Sequence, residues 1–93
     1  MKSSIFLNAI RNRNKVKLLY KLNEIIVEPY YISRNREGKK VIYGRINNSN
    51  SVQMFEYDKM FNIRTLNKFK FYPIIPIIPN YNWNERFYDG KYE

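Results

Sequence analysis

The chain has 93 residues, a formal net charge of +9, nine Tyr, and neither Cys nor His. That length supports one domain with a modest core. The missing residue types exclude a disulfide framework, a thiolate nucleophile and imidazole as general base or metal ligand, and no stretch nears the roughly 18 apolar residues of a membrane span.

The N-terminal run MKSSIFLNAIRNRN meets Arg11 after only a brief apolar stretch, so it is not a secretory signal, and a cytoplasmic location is expected. Ser3 or Ser4 can cap a helix over residues 4–12, with Ile5, Phe6, Ala9 and Ile10 as its buried stripe. Asn12, Arg13 and Asn14 suit its end, because Asn tolerates the left-handed conformation. In residues 16–22, Val16, Leu18, Tyr20 and Leu22 alternate with Lys15, Lys17 and Lys21. This predicts a half-buried strand with a basic face, on which Leu19 is the one apolar residue. Residues 22–24 read as a tight reversal.

The second strand, residues 24–33, is apolar on both faces and contains Pro29, which belongs at an edge, a bulge or a strand end because it lacks a ladder donor. Gly38 marks a turn with a positive φ. A third strand, residues 39–46, places Val41, Tyr43 and Arg45 on one face; Gly44 on the other implies a bend or a close backbone approach. Residues 47–51 form a polar loop. Residues 52–57 make a fourth strand, Asp58 caps a turn, and residues 61–66 close the sheet.

Beyond residue 66 the character changes. Pro73, Pro76 and Pro79 recur every third residue with Ile pairs between them, which matches the turn of polyproline II. Four exposed Ile would be unfavourable, so this segment is expected to pack on its own barrel or on another subunit. The stretch from 81 to 92, with Trp83, Phe87 and three Tyr, would cover an open sheet edge or dock on a partner.

Residues 1–22 carry six bases and no acid, residues 23–66 seven bases and five acids, and residues 67–93 four bases and three acids. Such a basic front attracts phosphates and speeds encounter with polyanions. The plain alternative is a solvated face that keeps a small protein soluble. Catalytic equipment is sparse. Glu24, Glu28, Glu56 and Asp58 are the acids a metal-dependent nuclease would need, yet their spacing builds no ligand set, and the three glycines form no phosphate loop. No enzyme activity, metal or cofactor is expected. Tyr43 and Arg45 on one strand face, with Lys59 and Arg64 further on, form an aromatic and cationic inventory suited to bases and phosphates.

The blocks FLNAIRNRNKVKLLY, VEPYYI, VIYGRI and FEYDKMFNIRTL, in that order, resemble the WYL domain over about residues 5–66. The resemblance implies a small Sm-like, SH3-type antiparallel barrel with a leading helix (residues 1–66), followed here by a C-terminal extension (residues 67–93). It also implies a regulatory module that senses nucleotides or single-stranded nucleic acid through a basic, aromatic-lined pocket. Tyr43 matches the central Tyr of the name motif, with Ile42 in place of Trp and Gly44 in place of Leu. Tyr20, Pro29 and Phe55 match family positions. Gln53 and Lys59 stand where the family has Arg, and Lys lacks the planar fork that grips phosphate twice. With 15 residues before the first expected strand, no helix-turn-helix is expected ahead of the barrel, so regulation would run through a partner protein.

The expected fold is thus mainly β with one N-terminal helix. The expected function is binding of single-stranded nucleic acid or a nucleotide through Lys15, Lys17, Lys21, Tyr43, Arg45, Lys59 and Arg64, with no membrane partner. The alternative is a protein-interaction module, an inhibitor, adaptor or homo-oligomer, acting through residues 72–93.

Overall fold

The computed structural model describes residues 1–47 and 49–74. The Pro/Ile repeat after Ile74 and the aromatic stretch beyond it lie outside the described residues, as does most of the interaction segment 72–93.

One helix, α1 (Lys2–Asn12), precedes five strands: β1 (Asn14–Tyr20), β2 (Asn23–Arg34), β3 (Lys40–Ile46), β4 (Gln53–Glu56) and β5 (Met60–Lys70). A 3-10 turn, Tyr57–Lys59, joins the last two strands. The strands form one antiparallel sheet in the order β4-β3-β2-β1-β5. No ladder joins β4 to β5 among the described residues, so the barrel is loose rather than closed.

The helix begins earlier than its serines suggest. Met1 is its N-cap without a side-chain bond, and Ser3 lies in the first turn, its hydroxyl 3.2 Å from that of Tyr57. The left-handed residue at the helix end is Arg13 (φ 56°), not a neighbouring Asn, because Asn14 is already buried in β1 and bonded to Asn67. Phe6, Ala9 and Ile10 face the sheet and are fully buried, while Ile5 is half-buried. They pack with Val16, Leu18, Val27, Ile42, Phe55, Tyr57 and Met60 in one core cluster. Burial of a side chain the size of Phe6 contributes about 1.5–3 kcal/mol.

The first hairpin turns on Lys21 and Leu22, both with positive φ (51° and 71°), between the paired Tyr20 and Asn23. That is the type I′ geometry that matches strand twist. It moves the reversal one residue earlier than expected and leaves Leu22 exposed. Gly38 has φ 80°, and the Asn35 side-chain oxygen accepts the backbone N–H of Glu37 and Lys39 around it. Pro29 sits in central β2 at a bulge: Pro29 pairs with Gly44 and Tyr31 with Tyr43, so Tyr30 is the additional residue. Gly44 is a close approach, since a Cβ there would lie 2.5 Å from the Glu28 carbonyl oxygen. Asp58 forms no cap bond; its carboxylate meets Lys39 at 3.6 Å. β5 runs to Lys70, four residues past the expected end, because Lys70 pairs with Asn14.

Candidate functional site

Strand alternation divides the sheet into a face toward α1 and an outer face. Val16, Leu18 and Val27 point to the core. Lys15, Lys17 and Leu19 therefore occupy the outer face of β1. Glu28 and Arg45 are cross-strand partners, as are Tyr31 and Tyr43, on the outer face of β2 and β3. Tyr43 in turn pairs with Met54 of β4.

The β2–β3 half of this face is internally satisfied. Glu28 is 2% exposed and receives Arg45 in a forked pair, Nε to Oε1 at 2.8 Å and Nη2 to Oε2 at 3.1 Å. Arg45 Nη1 also donates to the Ser49 carbonyl at 3.2 Å. The bond to Glu28 holds the guanidinium proton more tightly than usual. Tyr30, fully buried, donates its hydroxyl to Glu28 Oε1 at 3.4 Å and accepts the Ile74 backbone N–H at 3.0 Å. Burial pushes that hydroxyl's pKa up, the Ile74 bond partly offsetting it. Phe71 stacks on Tyr30 with ring centroids 5.7 Å apart, and its N–H donates to the Arg13 carbonyl. Tyr31 and Tyr43 stack at 4.9 Å. Arg45 is thus held by a buried carboxylate, and one face of the half-buried Tyr43 is covered by a ring.

The β1–β5 half is open. Leu19 pairs with Phe61, and Lys17 with Arg64. Phe61 is 58% exposed, and Arg64 is exposed with no acid against it among the described residues. Lys17 meets Glu24 at 3.3 Å in an exposed pair of the kind worth about 1 kcal/mol or less. A shallow cleft of about 220 Å³ lies here, lined by Lys17, Leu18, Leu19, Glu24, Asn62 and Arg64. Lys21 lies 5.6 Å from the Tyr20 ring centroid, and its N–H donates to the Lys59 carbonyl, so both residues stand at this end of β1. The Lys59 ammonium meets Glu56 at 3.4 Å. Lys15 reaches across β2 and donates to the Asn47 side-chain oxygen at 2.6 Å.

The seven residues singled out from the sequence therefore fall into two groups. Lys17, Lys21, Lys59 and Arg64 gather around the β1–β5 end, Tyr43 and Arg45 lie on β3, and β2 and β1 stand between β3 and β5; Lys15 bridges toward the second group. Strand alternation alone does not single out Phe61 and Asn62. Plain alternation puts Phe61 and Arg64 on opposite faces. A bulge between the Lys17 and Leu19 pairings, with Asn62 at φ 55°, turns both outward. The available signal was an Asn inside a strand-like run, where it is disfavoured unless the backbone departs from regular β geometry.

Three of the matched family positions are structural here. Tyr20 and Phe55 meet edge to face at 5.2 Å, the Tyr20 hydroxyl accepts the Glu56 N–H, and Pro29 makes the bulge. Among the described residues, no three acids converge on a metal-sized site, and no helix is long and apolar enough to cross a membrane.

No family model matches this sequence, and no curated protein does. Among solved structures the chain is similar to proteasome accessory factor B/C (PafBC) of Arthrobacter aurescens, with a TM-score of 0.66 and 17% identity over 92% of this chain. The chain spans 14% of the length of that protein. At this identity the likeness is one of fold alone.

Proposed function

We propose that this chain is a small regulatory module that binds single-stranded nucleic acid or a nucleotide on the outer face of β1 and β5, without catalysing a reaction on it. One observation carries the reading: the exposed ring of Phe61 stands on the same face as Lys17 and Arg64. A base stacks on an exposed ring, and neighbouring cations meet its phosphates. Lys21 and Lys59 extend the positive field at one end, and Lys15 continues it along β1. Opening the Lys17–Glu24 pair costs little, so Lys17 is available to an incoming phosphate. Tyr43 is the second candidate ring, with Tyr31 occupying one of its faces. Arg45 supports the site from β3 by fixing the sheet rather than by touching phosphate. The likeness in fold to PafBC, together with the WYL-like order of motifs in the sequence, is consistent with a regulatory module.

Fluorescence anisotropy with labelled single strands of about 12 nucleotides, a length within the range such surfaces cover, tests the reading. Affinity falls steeply between about 50 and 200 mM salt if phosphates are neutralised. Absence of binding at the lower salt, for DNA, RNA and mononucleotides alike, overturns it.

A further inference from the structure

β5 (Met60–Lys70) is an edge strand: β1 pairs with one side of it, and no described strand pairs with the other. It carries Arg64, Lys68 and Lys70 and no acid. Phe61 and Phe69 are each 58% exposed on it. The ion pairs of the described residues use Lys17, Lys39, Arg45 and Lys59, so none neutralises a β5 cation.

An open edge offers a row of unpaired backbone N–H and C=O groups to any extended chain, and lysines along it are a common block against self-pairing. Here the block is specific. A second copy of β5 in either direction brings another acid-free cationic strand against the first. The same row favours a strand of opposite charge, because opposite charges across a strand pair stabilise it and like charges oppose it. The exposed Phe61 and Phe69 add apolar surface for a neighbour to cover. A nucleic acid cannot extend the backbone ladder, so the edge selects a polypeptide, whereas the outer face beside it suits bases and phosphates.

We propose that the free edge of β5 accepts an extended acidic segment of a partner protein as a sixth strand. Backbone bonds supply the affinity and side chains the selectivity, as in strand-addition modules. Acidic side chains lie on the outer face beside Arg64, the face it shares with Phe61, and the alternating apolar side chains turn to the other face of the sheet. An occupant of about six to eight residues fits, at roughly 3.3 Å per residue along the strand.

The test uses the full chain and three capped synthetic peptides of about eight residues, the length a typical strand offers. One alternates Glu and Val, one Lys and Val, and one Glu and Pro; the last keeps the charge but cannot ladder. Calorimetry measures affinity, and amide hydrogen exchange locates the contact. The Glu/Val peptide is expected to bind at least about tenfold more tightly than either control, a ratio of the size that one opposed charge pair and a lost ladder produce. It should also slow exchange of the outward β5 amides. The double variant Arg64→Glu/Lys68→Glu should reverse the preference toward the Lys/Val peptide. Equal binding of the Glu/Pro peptide overturns the proposal, as does protection located on β4. It also fails if the outward β5 amides are already slow in the dilute free protein, since the edge is then covered by the chain's own residues. Concentration-dependent protection that follows dimer mass overturns it in favour of a second copy.

Discussion

On β2 and β3, Arg45 gives Nε and Nη2 to a carboxylate that is 2% exposed, Tyr30 bonds the same carboxylate, and Phe71 and Ile74 lie against Tyr30. On β1 and β5, Arg64 stands exposed, Phe61 is 58% exposed, and Glu24, at the start of β2, holds Lys17 in an exposed pair. Both halves hold arginine and aromatic side chains on the outer face of the same sheet. The difference is whether the charges and rings already have partners. A cation in a buried fork serves the fold, because pulling it out leaves an uncompensated carboxylate. A cation in water serves encounter, because its hydration is all a ligand must replace.

The sharpest way to break this comparison is to remove each arginine in turn. Arg45→Ala strands the buried Glu28 carboxylate and should cost about 3–5 kcal/mol in urea unfolding. Arg64→Ala, at an exposed position, should change stability by no more than about 0.5 kcal/mol. Equal losses would erase the distinction between the two halves. Next in size, Phe61→Ala should weaken oligonucleotide binding by about 1–3 kcal/mol at unchanged fold, the range for loss of a stacked base. Tyr43→Ala, which removes a ring already stacked on Tyr31, should show its main effect in unfolding rather than in affinity. The reverse pattern in anisotropy titrations would move the binding ring to β3. A smaller effect is expected for Tyr30→Phe, which leaves the Ile74 N–H and Glu28 Oε1 each without one partner. About 0.5–1.5 kcal/mol should be lost, with faster proteolysis after residue 70 reporting release of the 71–74 segment.

The gentlest probe is pH. Burial raises the hydroxyl pKa of Tyr57, with the Ser3 bond partly offsetting it, and raises that of Tyr30 as well. Both groups are neutral in folded and unfolded chains well below the ordinary value of 10.0. Above it the unfolded chain ionises first, the native state binds more protons, and stability falls as pH rises toward the folded values. Urea midpoints measured from pH 9 upward should therefore decline, and Tyr57→Phe should flatten the decline. A midpoint that stays level through pH 11 in the unmodified protein would contradict the assigned burial.

Local side-chain chemistry made the order of the elements and their inner faces legible in the sequence. Alternation in Val16, Leu18 and Tyr20, the spacing of Phe6, Ala9 and Ile10, the turn at Gly38 and the tight approach at Gly44 are local consequences of side-chain size, period and φ. Each is observed. Pro29 demanded an irregularity and sits at one. What tertiary structure alone decided is which charges find partners. Glu28 and Arg45 are seventeen positions apart and meet only because β2 and β3 pair in this register. Phe61 and Arg64 share a face only because the backbone bulges at Asn62. Periodicity assigns a side chain to one side of a strand, but register and bulges set what stands opposite it. The availability of a cation or a ring is a property of that opposing neighbour.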